Sequence, residues 1–491
     1  MIPVSSAAQT RELDLRTIEV LGLPGVVLME TASRALAQAV LEELRPGGRV
    51  IAVCGGGNNG GDGWGAARWL RSWGVDVAVW ACGDSRGDAA IHRAVAVRAG
   101  VPLVTSVAGA ELIIDALFGT GLAREITGRF AKIVQQIADS GVPVVAADLP
   151  SGLCADTGRV LGKALVAVRT VTFGRIKPGL LLGRGPELSG QVDVVDIGVE
   201  AAAWPEDHVA AITERSDVLA CWPTRSADAY KGSSGHLLIV AGSAAMAGAA
   251  VLASSAAVRG GAGLVTLAVP RGAVPRLGAL PPEVMVAVTG EGDTLTALPT
   301  GDVWARATVI AVGPGLGGGA PLAPALIRQL RALWTDDARP VVFDADAIVA
   351  VERSPQPRVL TPHPGEATRI LGGTVDDVQR DRLTSARRLA GFGVALLKGR
   401  GTLIAQADAP IVFNPTGGPI LATGGSGDVL TGLIGALLAR SLAPRDAAFV
   451  GAYVHGLAAE ELARVAPEGW GASDLVAVLP ATIASLLSGE G

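Results

Sequence analysis

Short apolar runs that alternate with helical patterns, in two successive blocks, constrain this chain more than any other feature. In the first block the runs fall at residues 50–54, 75–80, 112–115, 144–147, 170–173 and 192–197. In the second they fall at 237–241, 264–269, 309–312, 341–344, 359–360, 394–397 and 402–404. Runs of Val, Ile, Leu and Ala without polar alternation suit strands covered on both faces, and helix-length spacers between them suit βα units around a mostly parallel sheet. A helical segment at 14–45, with Leu13, Val20, Leu28, Leu36 and Val40 in phase, precedes the first block. Gly22, Pro24 and Gly25 interrupt it, so two helices are expected there. The last strong helix candidate is 428–440, DVLTGLIGALLAR. Between the blocks, Ala201, Ala203, Trp204, Pro205, Glu206 and Asp207 and the polar stretch 213–217 carry no strand pattern. A boundary near residue 212 follows, giving units 1–212 and 213–491. No repeat relates the blocks, so they are two different α/β domains joined in one chain.

The length of 491 residues supports more than one core, and 49% hydrophobic with 18% charged residues suits buried globular domains. A net charge of -5 gives no reason to expect nucleic acid or an anionic membrane as partner. Cys54, Cys82, Cys154 and Cys221 are scattered without a CxxC pair, which fits a reduced, cytoplasmic protein. No secretory leader pattern is read at the N-terminus. Residues 237–258 are uncharged, but Gly242, Ser243, Gly248, Ser254 and Ser255 make a buried strand, turn and small-residue helix the better reading than a membrane span. Lysine occurs only at 132, 163, 177, 231 and 398, the other basic residues being arginine. Lys177, Lys231 and Lys398 stand beside glycines in motif-like loops, where a compact ammonium has a use. A homo-oligomer is the default expectation for the assembly.

In the first block, GGGNNGGDGWGAARWL follows a strand and opens a helix. Glycines there let backbone approach a phosphate or ribose, and the helix N-terminus favours an anion. The spacing is not the dinucleotide G-x-G-x-x-G pattern. A tight turn with Asp62 capping the helix would use the same residues. Asp115 ends the strand of IIDALFGTGL and Asp148 that of VVAADLPSG, each before a glycine loop. Asn59, Asp115, Asp148 and Ser151 converge on the carboxyl edge of the sheet, where ligands bind in open α/β folds, and their oxygens suit a hard cation.

The ordered set GGGNNGGDG, DALFGTGL, ADLPSG and GRIKPGL resembles the NAD(P)HX epimerase domain over about residues 10–210, which implies a Rossmann-like fold. That family interconverts the R and S forms of a nicotinamide cofactor hydrated at C6. The resemblance implies substrate contacts from Asn58, Asn59, Gly60, Gly61 and Asp62. It adds Asp148 and the loop of Gly119, Thr120, Gly121, Leu122, Ala123, Arg124 and Glu125. Asn59, Asp115 and Ser151 would bind potassium. Asp148 is expected to handle a proton at the epimerising carbon, and Lys177 to anchor or polarise the substrate.

In the second block, TGGSGDVLTGLIGALLAR sets glycines before an aspartate at the start of a long apolar helix. The amides of Gly424, Gly425, Ser426 and Gly427 can hold a phosphoryl group, and Asp428 can take a proton from an attacking hydroxyl. The alternative use of the same residues is an N-cap aspartate after a flexible loop. GGSGD resembles the anion hole and base of ribokinase-like small-molecule kinases.

With YKGSSGHLLIVAGS, AVGPGLG, FDADA, TPHPGE and LLKGRGT in order, residues 220–488 are similar to the ADP/ATP-dependent NAD(P)HX dehydratase, which implies a ribokinase-like fold. The resemblance implies hydrate contacts from Ala249, Ala250, Gly315, His363 and Asp428. Lys398, Gly399, Arg400, Gly401, Thr402 and Gly427 would hold the adenine nucleotide. The expected reaction phosphorylates the C6 hydroxyl of the S form at the expense of ADP or ATP, then expels phosphate to give NADH or NADPH. Mg²⁺ is expected through phosphates and water, with Asp344 and Glu366 as outer contacts only. The alternative for His363, between two prolines, is a rigid turn residue with no ligand. The rival reading is a ribokinase-type vitamin or sugar kinase fused to a non-catalytic nucleotide-binding module.

Overall fold

Five of the six residues of RVIAVC are buried in the strand Arg49–Cys54, the pivot of the first sheet in the computed structural model. The structure describes residues 1–204, 208–225, 228, 230 and 234–489. Pro205, Glu206 and Asp207 of the expected linker, and Lys231, lie outside the described residues. Contacts divide the chain into Pro3–Ala210 and a second unit of Ala211–Gly491 with Met1–Ile2. The edge falls two residues before the expected one because Ala210–Ile212 is a short strand of the second sheet, next to Ile2–Val4.

The first unit holds a seven-stranded sheet. Its order is Leu103–Val104, Asp76–Ala81, Arg49–Cys54, Leu112–Ala116, Val144–Ala147, Arg169–Phe173, Gln191–Val195, with every neighbour parallel. The order reverses between Arg49–Cys54 and Leu112–Ala116, so a crevice opens beyond their carboxyl ends. Alternate residues serve the two faces. Val50, Ala52 and Cys54 pack with Leu36, Val40, Trp64 and Leu70, while Ile51 and Val53 pack with Ile133, Val134 and Ile137. Of the expected pair of N-terminal helices, Gly25–Glu43 buries Leu28, Ala32, Leu36 and Val40 on one face. The other, Ala7–Leu15, starts earlier than residue 14 because Ser6 and Gln9 form a capping box at its N-terminus.

The second unit is built on an eleven-stranded sheet. Seven consecutive strands are parallel: Val394–Leu397, Arg358–Leu360, Val341–Phe343, Val309–Val312, His236–Val240, Leu264–Val269 and Val284–Val288. Leu403–Ala405 and Ile411–Phe413 extend it antiparallel. The last strand of each series, three or five residues long, carried too little pattern to be expected from sequence. The uncharged stretch resolves into the strand His236–Val240 and the helix Ala247–Arg259. No helix among the described residues is long and apolar enough to cross a membrane.

Helix Ser426–Ala439 is buried from Val429 to Ala439, which explains its all-round apolarity. It lies so close to Ala247–Arg259 that a Cβ on Gly432 would meet the Ala253 carbonyl oxygen at 2.0 Å. The small residues of AGAAVLASSAAVR serve that approach. Two further helices, Pro444–Val465 and Ala472–Ser488, follow the one taken as the last strong candidate.

Candidate active sites

At the switch point of the first sheet, a cavity of about 440 Å³ is lined by Asn58, Asn59, Asp62, Gly119–Leu122, Asp148 and Lys177, with Asp14 on the N-terminal helix. NNGGDG is the first turns of helix Asn58–Ser72 rather than a loop. Asp62 is five residues into that helix and makes no cap bond, which removes the capping reading. Burial pushes its carboxyl well above the usual range, and the negative charge of Asp148 adds to the effect. Gly60 and Gly61 are buried and do not line the cavity: a Cβ on Gly60 would stand 2.0 Å from the Gly55 carbonyl oxygen. Gly119, Thr120, Gly121 and Leu122 reach the cavity, whereas Ala123, Arg124 and Glu125 are exposed beyond it.

Asp148 takes a left-handed backbone (φ 65°), a strained conformation that aspartate tolerates better than most side chains. Its Oδ2 accepts from the Thr120 amide at 3.1 Å, and its Oδ1 from Thr172 Oγ1 at 3.1 Å and Lys177 Nζ at 2.7 Å. The Lys177 ammonium also donates to Thr172 Oγ1 at 3.0 Å and the Phe173 carbonyl at 2.8 Å. All three of its protons are thus spoken for inside a side chain that is 1% exposed. Lys177, expected to anchor or polarise the substrate, lines the cavity with its ammonium bonded to Asp148.

Asp115 is fully buried; its Oδ1 accepts from Ser151 Oγ at 2.6 Å and its Oδ2 from the Ser151 amide at 2.7 Å. Desolvation raises its pKa to about 6 against these hydrogen bonds. Both polar atoms of the Asn59 side chain are buried without a hydrogen-bond partner among the described residues. A Cβ on Gly119 would stand 3.0 Å from Asn59 Oδ1 and 2.9 Å from Asp148 Oδ2, so the amide and carboxylate face one small space.

In the second unit the carboxyl ends of successive parallel strands deliver Gly315, Asp344, His363 and Lys398 to one edge. Gly315 lies against Ala249, where its own Cβ would be 3.1 Å from the alanine's; Ala250 is buried on the same helix. Ser426, Gly427 and Asp428 form the first turn of helix Ser426–Ala439, after Gly425 in a left-handed conformation (φ 94°) and the exposed Gly424. Their amides therefore lack intrahelical partners.

Lys398 reaches this helix start. Its Nζ donates to Asp344 Oδ1 at 2.8 Å, lies 3.7 Å from Glu366 Oε2, and is 3.3 Å from where a Gly427 Cβ would be. Asp344 Oδ2 accepts from Thr431 Oγ1 at 2.8 Å. Burial alone would raise the Asp344 carboxyl, but Lys398, Thr431 and Thr361 hold it below its usual range. Asp428 has no such hydrogen-bonded partner among the described residues: burial and the Asp344 charge, against the charge of Lys398, raise it to about 7. His363 caps its own helix, its Nδ1 accepting from the amides of Gly365 at 3.0 Å and Glu366 at 3.3 Å. That is the turn role, and it leaves Nε2, 3.3 Å from Glu366 Oε1, as the ring's other polar edge.

The loop Lys398–Thr402 is braced from behind. Buried Arg382 donates to the carbonyls of Leu397 (3.2 Å), Lys398 (3.4 Å) and Gly401 (3.3 Å), and Thr402 Oγ1 to that of Gly399 (3.1 Å). Gly399 and Arg400 are exposed. Sequence reading passed over Asp14, Thr172, Arg382 and Thr431, and placed Asp344 and Glu366 only at the margin. A carboxylate ending an apolar strand, the signal used for Asp115 and Asp148, also marks Asp344.

Fold and sites together define a two-unit α/β enzyme: a carboxylate–lysine cavity in a Rossmann-like unit, then a glycine–aspartate helix start in a ribokinase-like one. A family model described as YjeF-related protein N-terminus matches residues 25–179, and one described as NAD(P)H-hydrate dehydratase matches 237–480. The bifunctional NAD(P)H-hydrate repair enzyme of Moorella thermoacetica is 37% identical over 98% of this chain and 96% of its own. That of Escherichia coli K12 is 35% identical over 96% and 92%. The crystal structure of an ADP/ATP-dependent NAD(P)H-hydrate dehydratase from Bacillus subtilis, co-crystallised with ATP and Mg²⁺, is 31% identical with a TM-score of 0.50, covering 56% of this chain and 97% of that one. The chain belongs to the bifunctional NAD(P)H-hydrate repair enzyme family. Relatives that match across both units do not favour a vitamin or sugar kinase with an inert front module.

Proposed function

We propose that the first unit interconverts the R and S epimers of NADHX and NADPHX, and that the second dehydrates the S epimer at the expense of ADP or ATP. The observation that carries this is the pairing, on one chain of this family, of a cavity centred on Asp148–Lys177 with an Asp428 poised near neutrality beside a phosphoryl-binding helix start. An epimerase upstream makes both hydrate forms available to a dehydratase that takes one.

In the dehydratase, Asp428 accepts the C6 hydroxyl proton as that oxygen bonds to the terminal phosphorus and the nucleotide leaves as AMP or ADP. The first-turn amide of Gly427 and the Lys398 ammonium face the transferred group, with the Ser426 amide, which donates weakly to the Thr423 carbonyl at 3.4 Å, beside them, so Lys398 serves the phosphate end of the nucleotide rather than its base. Phosphate then leaves C6 and a proton leaves C5, restoring the ring double bond. Ala249, Ala250, Gly315 and His363 border the hydrate, while Gly399, Arg400, Gly401 and Thr402 border the nucleotide. Among the described residues no cluster of three metal-ligating side chains exists, and Asp344 is engaged by Lys398 and Thr431. Mg²⁺ therefore fits through phosphates and water, where it would shield phosphate charge.

In the epimerase, Asp148 moves a proton at C6 and Lys177 with Thr172 fixes its orientation. The unpartnered Asn59 amide, the buried Asp115 carboxylate and the Ser151 hydroxyl are an all-oxygen set that fits K⁺. Bound there, K⁺ would supply positive charge that keeps Asp115 ionised. We place the protein in the cytoplasm, with ADP as the donor.

Absorbance at 340 nm tests the proposal, with both NADHX epimers, Mg²⁺, K⁺ and ADP or ATP in separate runs. Recovery of nearly all the reduced cofactor is expected. Recovery that stalls at the S fraction would reduce the first unit to a binding module. No recovery with either nucleotide would refute the dehydratase assignment.

A further inference from the structure

Among the charged groups that line the first unit's cavity, Arg11, Asp14, Asp62, Asp88, Asp148 and Lys177, three carboxyls, Asp14, Asp62 and Asp88, have no hydrogen bond or ion pair among the described residues, and Asp14 is the one carried by the N-terminal helix. Asp14 stands on helix Ala7–Leu15, half-buried at the cavity wall. No hydrogen bond or ion pair among the described residues holds it. A carboxyl kept out of bulk water without a partner costs folding free energy, so its presence in a cavity wall calls for a use. Asp148, by contrast, is tied to an ammonium, a hydroxyl and an amide. The two come from different elements, one from the N-terminal helix and one from the edge of the sheet, and their charges are felt across the cavity together with that of Lys177.

Epimerisation at C6 needs two proton-transfer groups, because the hydroxyl must leave one face of the ring and return on the other. We propose that Asp14 is the second catalytic residue of the first unit, a proton donor that works opposite in role to Asp148. The inference rests on reading that unit as an epimerase. In the forward step, Asp14 gives its proton to the C6 hydroxyl. The C6–O bond breaks, the N1 lone pair forms the C6–N1 double bond, and water departs. Water then adds to C6 from the other face, its electrons forming the new C–O bond while those of the double bond return to N1, and its proton passes to Asp148. One proton has moved from Asp14 to Asp148; exchange with water returns the pair to its starting state before the next turnover, and the reverse epimerisation runs the same steps backwards. No oxidant or reductant is required. Carboxyl groups in unlike surroundings divide acid and base roles in this way. Burial together with the negative charge of Asp148 raises Asp14 to about 6, against the opposing effect of Lys177, so the proton it must donate is present in slightly acidic solution.

The test follows R to S conversion by chromatography in the full-length protein without nucleotide, alongside dehydration of the S epimer by the same preparations. Asp14→Asn removes a charge without a partner and leaves the shape, so the unit should fold; circular dichroism and thermal melting check this. We expect its epimerisation kcat to fall at least 100-fold with little change in KM, its dehydratase rate to match that of the native chain, and Asp14→Glu to recover part of the loss. In the native chain kcat/KM for epimerisation falls as pH rises past about 6, and the Asn variant lacks that limb. Epimerisation by Asp14→Asn within threefold of native, or a loss confined to KM with the limb intact, overturns the assignment. A native chain that does not epimerise would fail the reading of the whole unit instead, which the comparison of variants keeps separate.

Discussion

Replacing Asp428 by Asn should abolish dehydration while making the protein more stable. In the folded chain burial raises this carboxyl from 3.8 to about 7. A carboxyl whose folded pKa exceeds its unfolded one holds its proton longer in the native state. Stability therefore falls as pH rises from about 4 to about 7, and the whole cost is present above that. The gap corresponds to about 4 kcal/mol as a ceiling, because the helix start remains partly open to solvent. Asn carries no charge to desolvate, so the variant should melt several degrees higher at pH 8 and near the native temperature at pH 4. Activity moves the other way. Loss of a general base costs ~10²–10⁴ in rate. In the native protein kcat/KM for the hydrate should be roughly tenfold lower at pH 6 than at pH 8, since about one-tenth of a group with that pKa is ionised at the lower value and about nine-tenths at the higher. Recovery of 340 nm absorbance reads the rate, and differential scanning calorimetry the stability. A flat profile between pH 6 and 8, or an Asn variant no more stable than native at pH 8, would refute the reasoning.

Lys177→Met strands a buried carboxylate and should cost about 3–5 kcal/mol of stability at neutral pH along with most epimerisation. Pairing it with Asp148→Asn should restore the melting temperature but not the activity. Gly119→Ala sets a methyl 2.9 Å from Asp148 Oδ2 and 3.0 Å from Asn59 Oδ1. Epimerisation should fall at least ~10-fold as the Asp148 carboxylate and Asn59 amide are displaced, with dehydration by the same chain unchanged. Arg382→Ala releases the carbonyls of Leu397, Lys398 and Gly401, so steady-state kinetics should show KM for ADP or ATP rising about tenfold as the loop loses its preorganisation, with kcat affected less.

Which parts of this molecule can be read from sequence depends on whether the cause is local. The buried parallel strands are legible because both faces of Arg49–Cys54 demand apolar residues, and a run such as VIAVC says so by itself. Strand-end placement of Asp115, Asp148 and Gly315 follows from the same rule, since an α/β sheet exposes its carboxyl edge to ligands. The capping box of Ser6 and Gln9 is also a local signal, and reading it would have moved the first helix seven residues earlier and put Asp14 inside it.

What no local signal carries is the direction in which a long side chain spends its charge. Lys177 and Lys398 stand in similar glycine-flanked loops, and sequence treats them alike. Lys177 is consumed by Asp148, 29 residues earlier, and by Thr172 and Phe173 of the preceding strand. Lys398 is drawn to Asp344, 54 residues earlier, and so stands at the phosphate end of the helix start. The contrast between Asp344 and Asp428 has the same origin. Both are carboxyls taken out of water within one cluster, and the ammonium bonds one of them, holding it below its usual range while the other rises to about 7. One lysine thereby makes a permanent anion of the first and leaves the second free to take a proton, which is the division of labour that phosphoryl transfer from a nucleotide to a hydroxyl requires.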